Sequence, residues 1–460
     1  MGLPPDVQSL LVAAVGPAHA RTDDGARLAY GTDALQRGHP ADLVLLPGST
    51  AEVAAVARLC QAHGVPLVVR GAGTGYTGGA VPVRGGVVLS MERLDRILEI
   101  DEANLLAVVQ PNVITRTLQD AVEARGLFYP PDPASLNRSA LGGNVAECAG
   151  GPRAVKYGTT RRYVLGLEAV LAGGEIIRTG SKTVKNVVGY DLTQLLVGSE
   201  GTLAIVTEII LRLVPRPAMQ ATLGATFAGI PTAVAAVTGL LRAGVVPATI
   251  ELVDEASIRA VERHLARPVA PAGTGALLII EVDGVPAGVE EEAARVTEAC
   301  RAAGAITVTR AASAAERDAI WEARRELSFA LRALAPRKIN HDLVVPRGRV
   351  PELFDLVDEV RRRHGLLIPC FGHAGDGNIH VNLMVDPADA GEMARAALAE
   401  QELFAGVVAL EGSISGEHGI GFSKAPFIGL ELSAETIALM KRVKAAFDPD
   451  GILNPGKIFP

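Results

Sequence analysis

Gly73-Thr74-Gly75-Tyr76-Thr77-Gly78 has the spacing of a dinucleotide-binding fingerprint, and the β-branched run 65–69 ahead of it reads as a buried strand. The helix that this fingerprint requires cannot follow. Pro82 and the pair Gly85-Gly86 come next, and a proline inside a helix removes a hydrogen bond and clashes with the preceding turn. A nicotinamide site of the Rossmann kind is therefore disfavoured. A glycine-rich loop between two strands can still bind a pyrophosphate through successive backbone N–H groups, with no helix dipole behind it. The bland alternative is a multi-glycine surface loop.

A second glycine-dense stretch favours the nucleotide. Pro130-Pro131-Asp132-Pro133 leads to 139–151, where Gly142, Gly143, Gly150 and Gly151 sit among small residues, and Gly198-Ser199-Glu200-Gly201 offers another close approach. Small residues let a flat, bulky ligand lie against main chain. Several such loops suggest an extended dinucleotide.

The segment from Phe371 to Asn382 carries different chemistry. Asp376-Gly377 between extended runs predicts a two-residue turn, with His373 directly opposite His380 and Phe371 and Asn382 on the same face. Cross-strand Cβ atoms are about 5 Å apart, so the imidazoles could grip one metal ion. Glu417 and His418 lie in a glycine-rich stretch too irregular for a core helix. Two histidines and a carboxylate with an open position describe a catalytic metal site. A hydrogen-bonded surface pair is the plainer reading, but three of only nine histidines fall in these two segments.

At 460 residues the chain is too long for one core. A formal charge of −7 and 4% aromatic residues argue against a nucleic-acid groove with stacking platforms. Cys60, Cys148, Cys300 and Cys370 share no CxxC spacing and suit a reducing cytoplasm. The N-terminal sixteen residues have an apolar stretch but no basic flank, and no apolar run reaches 18, so a soluble protein is expected, with peripheral membrane association through a partner left open.

Periodicity predicts a helix over 50–64 with Ser49 or Thr50 as N-cap, a strand over 87–90, a helix over 114–125, a hairpin over 164–178 turning at Gly173-Gly174, and a long strand over 203–214. Pro215 and Pro217 mark a boundary. Beyond it, helical patterns over 232–243, 255–266, 289–303, 315–333, 350–364 and 387–406 alternate with strands over 277–282, 339–345 and 366–371, and 433–447 forms a last helix.

Taken in order, Arg70-Gly71-Ala72-Gly73-Thr74-Gly75, Pro130-Pro131-Asp132-Pro133, Leu141-Gly142-Gly143-Asn144, Lys156-Tyr157-Gly158, the stretch from Val197 to Leu203, Gly372-His373-Ala374-Gly375-Asp376-Gly377-Asn378-Ile379-His380, Gly416-Glu417-His418-Gly419 and Leu453-Asn454-Pro455-Gly456-Lys457 carry a family likeness. The chain resembles the FAD-linked D-2-hydroxyacid dehydrogenases. These include the FAD-binding catalytic subunit of glycolate oxidase and the flavin D-lactate and D-2-hydroxyglutarate dehydrogenases. The likeness spans about residue 30 to 458. It implies an α+β architecture of the vanillyl-alcohol-oxidase or PCMH type: an FAD-binding domain of two α/β subdomains over 1–216, an α+β cap domain with an antiparallel sheet over 217–412, and 413–460 returning to the FAD domain.

The resemblance also implies roles. Arg70, Gly71, Ala72, Gly73, Thr74, Gly75, Tyr76, Gly78 and Gly79 would hold the FAD pyrophosphate, and Pro131, Asp132, Gly142, Gly143, Asn144, Ala146, Gly150, Gly158, Gly201, Ile205 and Asn454 would line the cofactor. His373, His380 and Glu417 match ligands of a divalent metal, zinc first, with manganese and iron as alternatives. His418 matches the catalytic base. Arg324, three residues after Trp321, matches an arginine for the substrate carboxylate, against a plain reading as a solvated helix charge. Members with covalent flavin use a histidine near the glycine loop; Tyr76 stands there instead, which favours non-covalent FAD.

Two departures from the family matter. Cys148 stands where relatives often have asparagine, and Asn340-His341-Asp342-Leu343 lacks the lysine of the 2-hydroxyglutarate enzymes, with Lys338 displaced by two residues. A small substrate, glycolate or D-lactate, becomes the leading expectation. The alternatives are D-2-hydroxyglutarate oxidation, a non-catalytic FAD subunit of a larger oxidase, a nicotinamide dehydrogenase and a metal hydrolase. An iron–sulfur subunit, a second flavin subunit, a quinone and an electron-transfer flavoprotein are all candidate acceptors, and a homodimer is open.

Overall fold

The computed structural model describes residues 2–460 and separates them into two compact units. One comprises the residues through Gly150, Thr159–Arg216 and Glu417–Pro460; the other comprises Gly151–Gly158 and Pro217–Gly416. Met1, where the apolar N-terminal stretch begins, lies outside the described residues. That stretch forms the helix Pro5–Val15, whose Val7, Leu11 and Val15 are buried. Among the described residues, no helix is long and apolar enough to cross a membrane, and all four cysteines are free thiols.

The first unit holds two larger sheets and a two-stranded pair, Leu127–Phe128 with Val214–Pro215. In one, Leu43–Leu45, Val87–Ser90 and Leu67–Arg70 run parallel, with Ala20–Arg21 antiparallel at the edge. Leu43–Leu45 and Val87–Ser90 are short runs buried throughout, as parallel strands require. Thr50–Ala62 covers the sheet with Val53, Val56 and Cys60, and Ser49 caps it by accepting from the Glu52 N–H at 3.2 Å. The chain end adds to the same sheet. Leu67 N–H donates to the Ile452 carbonyl and Asn454 N–H to the Leu67 carbonyl, each at 2.8 Å, which buries Leu453 in the core. The other sheet is antiparallel throughout, in the order Ile97–Asp101, Leu106–Val109, Ile205–Arg212, Val164–Val170, Ile176–Gly180.

The second unit is a seven-stranded antiparallel sheet, ordered Thr307–Arg310, Met219–Phe227, Ala276–Gly284, Thr249–Asp254, Cys370–His373, Asn378–Val385, Arg337–Val344. Ala314–Arg332 packs with Glu255–Leu265, while the other helices pack side by side in the order Pro286–Ala302, Ile230–Arg242, Val350–His364, Ala390–Ala409. Strand alternation sorts the sheet into an apolar face, with Leu223, Ile250, Ile280, Val381 and Leu383, and a polar one. Register aligns Thr222 with Glu281, Glu251 with His373, Asp342 with His380 and Asn340 with Asn382. Buried polar groups need partners to be tolerated. Here Glu281 accepts from Thr222 Oγ1 and Trp321 Nε1, both at 2.7 Å, and Asn340 Nδ2 donates to Asn382 Oδ1 at 2.7 Å.

Candidate active site

The histidine hairpin does not turn as Asp376-Gly377 predicts. His373 pairs with Asn378 and Phe371 with His380, which leaves a four-residue loop, 374–377. The cause is local and tertiary together. The N–H groups of Asp376 and Gly377 both donate to the His373 carbonyl, at 3.2 and 3.0 Å, while Val345 N–H donates to the Gly377 carbonyl at 3.1 Å. Gly377, at φ +90°, lies so close to the Val345 carbonyl that a Cβ would stand 2.1 Å from it. The expected face-to-face pairing of the imidazoles is therefore wrong by one diagonal step. Parity survives, because Asn378 and His380 are two apart, so both histidines share the polar face, with ring centroids 5.2 Å apart and planes at 84°.

The carboxylate, Glu417, opens the last segment of the first unit, directly after a stretch held by the second unit's edge strand. Val344 and Ser413 exchange backbone hydrogen bonds of 3.1 and 2.8 Å, and Gly416 N–H donates to the Asp342 carboxylate at 2.8 Å and to its carbonyl at 3.0 Å. Two glycines make the approach possible: a Cβ on Gly412 would stand 2.2 Å from the Val344 carbonyl, and one on Gly416 would stand 2.4 Å from Asn378 Nδ2. Glu417 follows Gly416 by one peptide bond. One ligand atom from each of His373, His380 and Glu417 lies within 4.8 Å of the others.

Glu251, which sequence reasoning missed, sits behind this set. It is fully buried; His373 Nδ1 bonds to one carboxylate oxygen and Arg324 Nε donates to the other at 2.5 Å. Burial alone would raise the Glu251 carboxyl, but His373 and Arg324 outweigh it and hold the group below its ordinary value. A carboxylate only accepts, so Nδ1 carries the proton and Nε2 keeps its lone pair for a metal. The Arg324 guanidinium also lies 4.6 Å over the Phe371 ring, and is mostly buried instead of solvated. Its neighbour Lys338 is pushed down to about 8 by burial, with Arg332 and Arg324 adding to the effect. His341, by contrast, is on the opposite strand face, beside Phe404 and Glu400.

In the first unit the glycine loop 71–79 is braced from behind. Arg70 Nη1 donates to the Tyr30 and Thr32 carbonyls at 3.2 and 2.6 Å, and a Cβ on Gly73 would collide with the guanidinium. Ala72, Thr74 and Gly75 are half-buried in the loop between. Gly78, at φ +82°, would place a Cβ 2.0 Å from the Phe422 ring. Asn454 Nδ2 donates to the carbonyls of Gly79 and Glu200 at 2.9 and 2.7 Å, and Lys457 Nζ donates to the Val81 carbonyl at 2.6 Å. Glu200, a second residue missed in the sequence, accepts from the N–H groups of Ile420 and Gly421, both at 2.7 Å; burial raises its carboxyl.

The glycine-dense segments come together. A Cβ on Gly71 would lie 3.3 Å from Ala140 and 3.7 Å from the Gly143 nitrogen, while one on Gly143 would meet nothing within 4 Å. Gly142 is small for another reason, since Pro111 occupies its Cβ direction at 2.6 Å. Asn144 Nδ2 donates to Thr115 at 2.7 Å, Gln119 to the Pro131 carbonyl at 2.9 Å, and Glu200 N–H to the Ala146 carbonyl at 2.9 Å. Asp132 is half-buried after Pro131, Gly201 (φ +67°) adjoins Asn454, and Gly150 packs on Glu417. Ile205 lies in the hydrophobic core with none of its surface exposed, so it does not line an open ligand surface. Gly158 is not in this unit; it ends the helix Ala154–Tyr157, whose Tyr157 and Lys156 hold Asp283. His418 lies beside Tyr76, ring centroids 5.2 Å apart, and its carbonyl accepts from Thr77 Oγ1 at 3.0 Å.

A family model described as FAD linked oxidases, C-terminal domain, matches residues 216–458, and one described as FAD binding domain matches 41–180. The chain belongs to the FAD-linked oxidases. Among relatives of this oxidase, glycolate oxidase subunit GlcD of Bacillus subtilis (strain 168) is 44% identical over 455 residues, covering 99% of this chain and 97% of that protein. D-lactate dehydrogenase of Anaerostipes hadrus is 36% identical over 417 residues, covering 89% and 88%. The crystal structure of p-cresol methylhydroxylase with substrate bound matches with a TM-score of 0.82 over 98% of this chain and 96% of that one, at 17% identity, which identifies the fold as the PCMH type.

The first unit of this FAD-linked oxidase fits its cofactor: Gly143 opens onto free space beside the Gly71 backbone, where a flat ligand can approach main chain. The donor set fits a divalent ion as well, two imidazoles and a carboxylate, with one imidazole oriented from behind by Glu251.

Proposed function

We propose that this FAD-linked oxidase converts a small D-2-hydroxyacid, glycolate or D-lactate, to the 2-oxoacid. One observation carries the reading: His373, one member of a three-ligand cluster, and a buried arginine share the Glu251 carboxylate, so a group for an α-hydroxyl and a group for a carboxylate are tied together. The names of two relatives, a glycolate oxidase subunit and a D-lactate dehydrogenase, support the substrate class.

FAD, when bound, supplies the hydride acceptor, and a divalent ion on His373, His380 and Glu417 would acidify the substrate hydroxyl. Arg324 holds the substrate carboxylate in a bidentate fork through its two Nη atoms, because Nε is already committed to Glu251. Phe371 keeps the guanidinium plane fixed from below. His418 accepts the hydroxyl proton on its imidazole, with the Tyr76 ring beside it at a 31° tilt. Glu417 adjoins it in the chain, so one backbone segment delivers both a ligand and a base. Tyr76 offers no histidine for a covalent tether, and FAD is bound non-covalently. A partner subunit carries the electrons onward, as the relative's designation as a subunit suggests.

A second reading, oxidation of D-2-hydroxyglutarate, rests on Lys338. It shares a strand face with Asn340 and Asp342 and is near enough to Arg324 to be affected by its charge. The test is visible absorbance under anaerobic conditions with glycolate, D-lactate, L-lactate and D-2-hydroxyglutarate. Flavin bleaching by glycolate or D-lactate is expected. Bleaching by D-2-hydroxyglutarate alone would move the assignment to Lys338, and bleaching by none of the four would overturn it.

A further inference from the structure

Glu251 stands at the middle of the Thr249–Asp254 strand, directly opposite His373 on the neighbouring strand. Its side chain is fully buried, and each carboxylate oxygen has one strong partner: His373 Nδ1 on Oε1 and Arg324 Nε on Oε2. A buried ion set of this kind costs desolvation, and its retention is weak evidence of stability alone. The two partners are the residues assigned above to metal and to substrate carboxylate.

We propose that Glu251 is a positioning residue that couples the metal ligand to the substrate arginine; this inference rests on the metal-assisted reading above. Through Oε1 it fixes the His373 tautomer with the proton on Nδ1, leaving Nε2 to bind metal. Through Oε2 it holds the edge of the guanidinium, so that both Nη atoms of Arg324 stay together as a fork. The chemistry of the carboxylate makes the coupling testable, because an amide has one accepting atom where the carboxylate has two. In Glu251→Gln, an amide oxygen kept on Arg324 turns its NH2 toward His373 Nδ1, which drives the ring proton to Nε2 and removes the metal's lone pair. With the amide flipped, the NH2 faces Arg324 instead and the fork loses its support.

The experiment measures zinc affinity of the purified flavoprotein by competition with a chelator, KM for glycolate or D-lactate, melting temperature and FAD content in wild type, Glu251→Gln, Arg324→Lys and His373→Ala. For Glu251→Gln, a 10- to 100-fold loss of zinc affinity, the scale of a lost outer-shell partner, is expected together with a raised KM, at normal FAD content. Arg324→Lys should raise KM and keep wild-type zinc affinity. Wild-type zinc affinity and wild-type KM in Glu251→Gln would overturn the coupling. Zinc affinity unchanged by His373→Ala would show instead that the metal reading itself has failed, and the proposal with it. If Glu251→Gln does not fold, Glu251→Asp, which keeps the charge but withdraws it, must weaken zinc binding and raise KM in parallel; a change in melting temperature alone would reduce Glu251 to a structural ion pair.

Discussion

Around the 71–79 loop the side chains bind backbone: Arg70, Asn454 and Lys457 take carbonyls, and Glu200 takes N–H groups. On the polar face of the second unit the arrangement is reversed. There the candidate groups are side chains, and two of them, His373 and Arg324, are held by a third, Glu251. A backbone site should be damaged chiefly where a Cβ cannot be accommodated. A side-chain site should be damaged at every member, and most where one group serves two others.

The largest effect is expected at the ligands. His373→Ala, His380→Ala and Glu417→Gln should each lose bound metal and at least about a thousandfold in turnover while keeping FAD, since Lewis acidity and the proton transfer it assists disappear together. Elemental analysis beside the flavin spectrum checks this. Full metal content in all three would erase the contrast between the regions.

His418→Ala should slow flavin reduction by about a hundredfold or more, the usual scale of a lost general base, with metal content unchanged. Stopped-flow reduction at saturating substrate reads it directly; a wild-type rate would move the base elsewhere. His341 is a poor replacement, because its strand alternation turns it to Phe404 and Glu400.

In the backbone region, Gly78→Ala meets both a positive φ and the Phe422 ring. A destabilisation of about 2–4 kcal/mol and reduced FAD retention are expected, with metal affinity intact. Thermal melting and FAD content check it, and an unchanged melting temperature would mean that the loop is less tightly packed than described.

The smallest effect concerns Asp33, which faces the glycine loop near Gly75. Burial raises its carboxyl from 3.8 to about 6, against the opposing influence of the Leu35 N–H, Arg70 and Lys457. Between those values the folded chain keeps a proton that the unfolded chain has released, so this group's contribution to stability falls as pH rises through that window. Asp33→Asn should flatten the fall and stabilise the protein near neutral pH by at most about 3 kcal/mol, offset in part by lost counter-charge for Arg70. Urea midpoints on either side of the window test the sign.

Most secondary structure was legible because burial periodicity was strong. Val87–Ser90 falls where the apolar run predicts it, and Thr50–Ala62 starts at its capping serine. The histidines were legible through parity, which survived an error in the turn. The turn itself was not, because its length depends on Gly377 meeting Val345, a contact that Asp-Gly propensity does not contain. Glu251 was invisible for a related reason. Within Thr249–Asp254 it is one of two acids in a buried strand, and its meaning depends on His373, 122 residues away. The loop glycines were recognisable as a class, but not by role: Gly143 opens to space, while Gly142 fits against Pro111.

The most direct test of the account compares anaerobic flavin reduction by D-lactate or glycolate in metal-loaded and chelator-stripped protein of equal FAD content. The account predicts rapid bleaching of the loaded form, loss of most of that rate on stripping, and its return on adding zinc or manganese. Equal bleaching rates in the two forms would contradict it.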